Sequence, residues 1–308
     1  MKNSRIMVDS GAHSLYNQFV APKNEYAYYE TDAFWAYVDS YAAFIKENQH
    51  LIEVYVNVDA IFNPELTWKV QKYMENQHGL HPLPVVHAGT NISWFKKYMD
   101  NYNYIGIGGM AQKGAKDGWI KNLGDPVFSL ICRPPNYEPT HKIHGFAITA
   151  PSLLARYPFY SVDSTSWIQF GKYGAVIIPR KKNGVYNYKE SPYITFVTSR
   201  EAKKGHVGHF DNFVDMHQGY FHDYFTEKGF IIGSSTFRTI DPTGYKITEN
   251  EHWADRKAGL VETIIELGLS NSHELRDQLN IQFYLDLEAN LPPWPWSWKP
   301  KTKTRLLF

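Results

Sequence analysis

The chain has 308 residues, enough for one large domain of roughly 250 residues with a modest appendage. Its 43% hydrophobic and 20% charged content excludes extensive disorder, and its formal net charge of +1 excludes a uniformly basic coat, so any polyanion site must be a local patch. The single cysteine, Cys132, excludes an intramolecular disulfide and a zinc site built from several thiolates. With a polar N-terminus and no apolar run near the roughly 18 residues of a membrane span, the expectation is a cytoplasmic protein with no membrane partner.

Up to about residue 165, short β-rich apolar runs alternate with helical patterns, as expected of parallel strands joined by helices. The first run is RIMVDSGAHS. A helix is predicted over 32–48, with Asp32 as cap and Phe34, Tyr37, Val38, Tyr41, Phe44 and Ile45 at helical spacing. The strand IEVYVNVDA follows, and Asn63-Pro64 then opens a second helix that stops at Gly79. Next come the strand LPVVHAG, a helix from Ile92 to Met99 and the strand YIGIGGMA. A less regular stretch holds Pro134-Pro135. The strand KIHGFAIT, the helix PSLLARYP and the strand FYSVDSTSW resume the rhythm.

Beyond residue 170, YGAVIIPRKKNGVYNY reads as a hairpin around Asn183-Gly184. A helical pattern is predicted from about 251 through Ile264, Ile265 and Leu267, and another at 272–288. No G-x-G-x-x-G follows the first strand, and polar residues close nearly every strand, which favours a TIM (β/α)8 barrel over a Rossmann sheet. The expected layout is a barrel over 1–290 with C-terminal helices, a basic hairpin insertion over about 171–250, and a Trp/Pro/Lys-rich tail at 291–308.

In such a barrel the active site lies at the carboxyl ends of the strands. The residues there are Asp9, Asp59, His87, Gly108-Gly109, His144-Gly145-Phe146 and Asp163. One aspartate after a strand is an ordinary cap or turn former, but carboxylates crowded at one mouth repel each other, so accumulation points to chemistry. A carboxylate pair such as Asp9 and Asp163 can attack a glycosidic carbon and manage protons on the leaving base. Asp59 can accept from a guanine edge, and backbone N–H groups at Gly108-Gly109 can donate to its carbonyl oxygen.

The order and context of these segments over most of residues 6–170 resemble the tRNA-guanine transglycosylases, queuine and archaeosine enzymes included. VDSGAHS is similar to the family's D-S-G-G-F-Q, which implies an acid/base role for Asp9; Ala12 and His13 replace Gly and Phe. Asp59 matches the base-recognising aspartate, and His87 in H-A-G stands where the family has glutamine. Gly108, Gly109, Met110 and Ala111 match G-G-L-A. His144-Gly145-Phe146-Ala147 is similar to M-G-V-G and implies Phe146 near a face of the base. The nucleophilic aspartate falls on Asp163, although SVDST lacks the family's Pro-Thr-Arg element.

The tRNA-acting members carry three clustered cysteines and a histidine for structural zinc, which this chain cannot supply. It therefore looks like the shorter DNA-modifying branch of phages and bacterial modification systems, which inserts 7-deazaguanines such as 7-cyano-7-deazaguanine. The implied reaction exchanges guanine in DNA for a free 7-deazaguanine through a covalent aspartyl-sugar intermediate, with no metal or other cofactor. A tRNA substrate, a base or nucleoside N-glycosidase, and a non-catalytic nucleic-acid-binding barrel remain as alternatives.

Between 171 and 205, Lys172, Arg180, Lys181, Lys182, Lys189, Arg200, Lys203 and Lys204 face only Glu190 and Glu201, an excess suited to phosphates. Arg180, Lys181, Lys182, Lys203 and Lys204 are the expected nucleic-acid contacts. In the tail, Trp294, Trp296 and Trp298 either stack on bases or anchor the terminus. His206, His209, Asp211, His217 and His222 read as a solvated or phosphate-facing segment rather than a metal site.

Overall fold

A computed structural model describes residues 6–22, 26–109, 116–199 and 206–300. Met110, Ala111, Arg200, Lys203 and Lys204 lie outside the described residues. The chain divides into two compact units, one of residues 1–148, 156–163 and 293–308, the other of 149–155 and 164–292. Among the described residues no helix is long and apolar enough to cross a membrane.

In the first unit, β1 (Ile6–Val8) pairs in parallel with β2 (Ile52–Tyr55). A parallel bridge between Val56 and Leu83 leads to a four-stranded parallel sheet of β3 (Val85–His87), β4 (Tyr104–Gly108), β5 (Lys142–Gly145) and β6 (Ser161–Val162), in that order. Neighbours in space are thus neighbours in sequence. A doubly wound sheet reverses its order at a switch point, and no reversal occurs among these strands. The described pairings run from β1 to β6 and do not close into a ring.

Local chemistry sets the helix ends. After the short α1 (Ala12–Leu15), α2 (Asp32–Asn48) is capped by Thr31, whose Oγ1 accepts the Phe34 N–H at 3.3 Å. Asp32, the expected cap, sits one position later, in the first turn, where its charge suits the helix N-terminus. In α3 (Pro64–His78), Asn63 caps and Pro64 opens the helix, and Gly79, at φ +65°, ends it. The helix α4 (Ile92–Met99) begins with Asn91 as cap. Residues 116–131, expected to be irregular, instead hold α5 (Lys116–Trp119) and α6 (Asp125–Ile131), the latter with Pro126 tolerated in its first turn.

The parallel strands carry apolar side chains on both faces. On one, Val8 and Val58 pack with Phe34, Val38 and Ile45 of α2 and Val70 and Met74 of α3. On the other, Met7, Val54, Val56, Val85, Tyr104 and Phe146 form a second cluster drawn from consecutive strands and their exits. Strand alternation sends Met7 and Val8 to opposite faces. The tail packs as an anchor: Trp298 is buried against Phe128 and Tyr157, and Trp294 Nε1 donates to the Pro158 carbonyl at 3.2 Å.

The second unit contains α7 (Pro151–Leu154), α8 (Ser166–Lys172), β7 (Ala175–Ile178) and the hairpin β8 (Arg180–Lys182) to β9 (Val185–Asn187). Asn183 and Gly184 both have positive φ, as a tight hairpin turn requires. β10 (Tyr193–Phe196) pairs antiparallel with β7 and is followed by α9 (Asp215–Glu227). Then come three antiparallel strands, β11 (Ser234–Thr239), β12 (Glu251–Asp255) and β13 (Leu260–Glu266), in the order β11-β13-β12, and α10 (His273–Asn290).

The helix expected from 251 to 268 is therefore β structure. Val261, Thr263, Ile264 and Ile265 are β-branched and favour a pleated strand, and the spacing of Ile265 and Leu267 misleads because both are solvent-exposed. His209 is a structural residue: Nε2 donates to the Thr198 carbonyl at 3.0 Å and Nδ1 accepts from the Asp211 N–H at 3.2 Å. Among the described residues no group of three or more His, Cys, Asp or Glu side chains is placed to hold a metal.

The second unit is pinned by buried Asn280, whose Oδ1 accepts the Ile177 N–H at 2.8 Å while Nδ2 donates to the Trp167 carbonyl at 3.0 Å. Asn280→Leu keeps the volume but strands both backbone groups, at an expected cost of about 2–4 kcal/mol. Denaturant unfolding reads this directly; a change below about 0.5 kcal/mol contradicts it.

Candidate active site

Because β1 to β6 run parallel, their carboxyl ends share one edge, and the sequence-predicted residues Asp9, Asp59, His87, Gly108, Gly109, Gly145, Phe146 and Asp163 follow or close those ends. Asp9 follows β1. Its Oδ1 accepts the Ser10 N–H at 2.8 Å. Two tyrosines one turn apart on α2 hold the backbone around it, Tyr37 donating to the Ser10 carbonyl at 2.7 Å and Tyr41 to the Val8 carbonyl at 3.3 Å. Gly11 turns the chain at φ +72°, and a Cβ there would lie 2.7 Å from the Tyr37 hydroxyl. The D-S-G segment is thus fixed by its own backbone and by α2.

Asp163 follows β6. Its backbone N–H donates to the Gly145 carbonyl at 3.3 Å, and its Oδ1 accepts the Ala147 N–H at 3.0 Å. His144 Nε2 stands 3.4 Å from the same Oδ1; the histidine side chain is 2% exposed and the aspartate side chain 54%. Ala147 holds φ +56°, an uncommon conformation for a residue with a Cβ, at the point where its N–H meets the carboxylate. Phe62, after the Asp59 segment, is likewise at φ +66°, so strained backbone follows both strand exits.

Asp59 and His87 meet. His87 Nε2 lies 2.5 Å from Asp59 Oδ2, with side chains 20% and 7% exposed. Gly108 makes room for this ring, since a Cβ there would lie 3.1 Å from it. Gly109, at φ +97°, lets the chain approach Ala88, whose backbone nitrogen would be 2.9 Å from an added Cβ. Phe146 lies over Gly106, where a Cβ would clash with the ring, and edge-on to His144 at 4.4 Å. Gly145 is crowded by Ile148 and Phe159 and serves packing. A crevice beside Phe62, His87 and Trp94 has a volume of about 10 Å³, room for one water.

These groups perturb one another. For Asp9, lost hydration raises the carboxyl pKa, the Ser10 N–H opposes this, and repulsion from Asp59 and Asp163 raises it further against a smaller pull from His144; the net direction is up. For Asp163, lost hydration also pushes up, but His144 and the Ala147 N–H outweigh it and the net direction is down. For His87, burial pulls down, but the charge and hydrogen bond of Asp59 outweigh it and the net direction is up. Asp9 and Asp163 reach solvent, as groups that meet a substrate must. The arrangement sets two carboxyl groups apart, Asp9 shifted toward holding its proton and Asp163 toward ionisation, the direction of difference that acid/base and nucleophilic roles use.

Of the expected nucleic-acid contacts, Arg180, Lys181 and Lys182 lie on β8 in the second unit and line an open groove of about 810 Å³. The groove is mixed in charge rather than uniformly basic, because Glu190, Asp215 and Asp223 line it too. Counting charges along 171–205 misses Asp215 and Asp223, which α9 brings in. Tyr37 and Tyr41, which hold the backbone at the β1 exit, are absent from the site residues the sequence singled out; the i, i+4 tyrosine pair on the inner face of α2 was the available signal.

Comparison with family models, curated proteins and solved structures finds no match.

Two titrations follow. The folded state holds the Asp9 proton more tightly than the unfolded chain does, so this residue's effect on stability turns unfavourable as pH rises through the range above the ordinary aspartate value of about 3.9. Asp9→Asn removes a charge that burial, and after it the neighbouring carboxylates, disfavour; it is expected to raise the neutral-pH melting temperature, on the order of 1 °C because solvent reaches the group, and a decrease contradicts it. His87 is expected to titrate above about 6.5 in NMR spectra, and Asp59→Asn to bring its midpoint back down. Its stabilising effect is fully present below that ordinary value and disappears as pH rises through the raised midpoint.

Proposed function

We propose that the chain is a guanine transglycosylase that exchanges guanine in DNA for a 7-deazaguanine, on a (β/α)8-barrel frame. The observation that carries this reading is the cluster at one strand edge: Asp9, Asp59 and Asp163 close enough for Asp9 to feel both other charges, with Asp9 pushed toward the protonated form and Asp163 toward the ionised one. The consecutive parallel order of β1 to β6 supports the barrel frame.

A glycosidic carbon inside a stacked duplex is out of reach, so the target nucleotide is flipped to the mouth of the strands. The Asp163 carboxylate attacks that carbon, the bond to guanine N9 breaks, and the departing base takes the Asp9 proton as the electron pair settles on it. In the return step Asp9 removes the N9 proton of the incoming 7-deazaguanine. Its nitrogen bonds the sugar carbon and the electron pair of the broken ester returns to Asp163. Two inversions give retention.

Asp59 has one oxygen on His87, which leaves Oδ1 to accept from the guanine edge. His87, in place of the family's glutamine, supplies a hydrogen-bonding partner for that carboxylate, whose charge raises the histidine's pKa. The absence of a cysteine set for zinc favours DNA over tRNA as the polymer. Arg180, Lys181 and Lys182 are the candidate phosphate contacts, moderated by the neighbouring carboxylates.

The test is incorporation of radiolabelled guanine into DNA, with tRNA in parallel. The wild-type chain is expected to label DNA, and Asp163→Ala to abolish labelling while free-base binding survives. Undiminished exchange by the variant contradicts Asp163 as nucleophile, and labelling of tRNA alone overturns the choice of polymer.

A further inference from the structure

His144 is almost completely buried, and its two ring nitrogens have different surroundings. Nδ1 lies 2.7 Å from Ser161 Oγ, and that hydroxyl lies 2.5 Å from the Tyr104 hydroxyl. Nε2 makes no hydrogen bond of ordinary geometry and stands 3.4 Å from Asp163 Oδ1. A buried ring nitrogen without a partner is costly, so what it faces is informative.

The proton positions follow from which groups can donate. If Tyr104 donates to Ser161 and Ser161 donates to Nδ1, the neutral ring carries its proton on Nε2, aimed at an acceptor carboxylate. Reversing the chain places the proton on Nδ1 and sets a bare Nε2 lone pair against the Asp163 oxygen, which is repulsive. The forward direction satisfies every member. A closing movement of about 0.5 Å then brings Nε2 to ordinary hydrogen-bond distance.

Oδ1 receives both contacts, from the Ala147 N–H and from His144, and neither falls on Oδ2. We propose that the Tyr104–Ser161–His144 chain is a positioning device that holds Asp163 by Oδ1 and thereby assigns Oδ2 as the oxygen that attacks the glycosidic carbon. This rests on the transglycosylase reading for the identity of the attacked atom, whereas the hydrogen-bonded chain itself does not. In the first step the Oδ2 lone pair forms the bond to the sugar carbon as the bond to N9 breaks. In the second, the electron pair of that ester bond returns to the carboxylate, where the two Oδ1 donors favour its charge.

The test has two arms on the full-length chain. In the first, ¹⁵N-histidine NMR, with His144 assigned by its disappearance in His144→Gln, is expected to show a ring that carries a proton on Nε2. Ser161→Ala shifts it toward a mixture of tautomers, and Asp163→Asn moves the Nε2 resonance. A wild-type ring with its proton on Nδ1 and none on Nε2 overturns the proposal. In the second arm, Ser161→Ala and His144→Leu are expected to lower kcat for exchange about ten- to a hundredfold, the worth of a hydrogen bond to a charged group, with KM for the free base within about twofold.

His144→Gln, which keeps an N–H near the position of Nε2, is expected to recover part of the rate. Ser161→Ala, a small change at a half-buried hydroxyl, keeps the test decisive if the His144→Leu chain fails to fold. An unchanged kcat in Ser161→Ala, or a loss confined to KM, overturns the proposal. If the wild-type chain exchanges no base at all, the functional reading fails while the NMR arm still decides the chain of hydrogen bonds.

Discussion

Gathering carboxylates at one edge of a parallel sheet, where lost hydration first and neighbouring charge second disfavour ionisation of Asp9, is the constraint on which the candidate site depends. Asp9, Asp59 and Asp163 are near enough for charge on one to disfavour charge on another. The fold resolves this unequally. Asp59 is matched with His87 at 2.5 Å, Asp163 is supported by His144 and the Ala147 N–H, and Asp9 has a single backbone donor and a raised pKa. His144 and the Ala147 N–H thus lower the Asp163 pKa, while burial, with help from the neighbouring charges, raises that of Asp9.

That division of roles reaches back into ordinary packing. The tyrosines of α2 are placed by the same helical spacing that buries Phe34, Val38 and Ile45, and their hydroxyls fix the β1 exit. Gly106 and Gly108 clear space for Phe146 and His87, so these two side chains rest on strand β4 without a Cβ between. Positive φ at Phe62 and Ala147 concentrates backbone strain where the candidate chemistry lies, and the packed strands beneath hold it in place.

Much of the first unit was legible in the sequence because its signals are local. Asn63-Pro64 and Gly79 mark the ends of α3, and strand exits carry polar residues in VDSG, NVDA, VVHAG and SVDST. The failures have physical causes. Residues 116–131 form helices although Gly118, Gly124 and Pro126 argue against them, because Trp119, Val127, Phe128 and Ile131 are buried by tertiary packing. Strand β13 resembled a helix because exposed Ile265 and Leu267 imitate an apolar stripe. The Asp59–His87 contact and the Ser161–His144 link join residues 28 and 17 positions apart, and no local pattern encodes which polar groups will meet.

The central claim is that Asp163 forms a bond to the sugar while Asp9 handles the proton. It is tested most directly by incubating the protein with guanine-containing DNA in the absence of free 7-deazaguanine, denaturing, and mapping any covalent adduct by peptide mass analysis. The account predicts a DNA-linked peptide containing Asp163 that is discharged when 7-deazaguanine is supplied before denaturation. An adduct at any other residue, or none under conditions in which exchange proceeds, would contradict it.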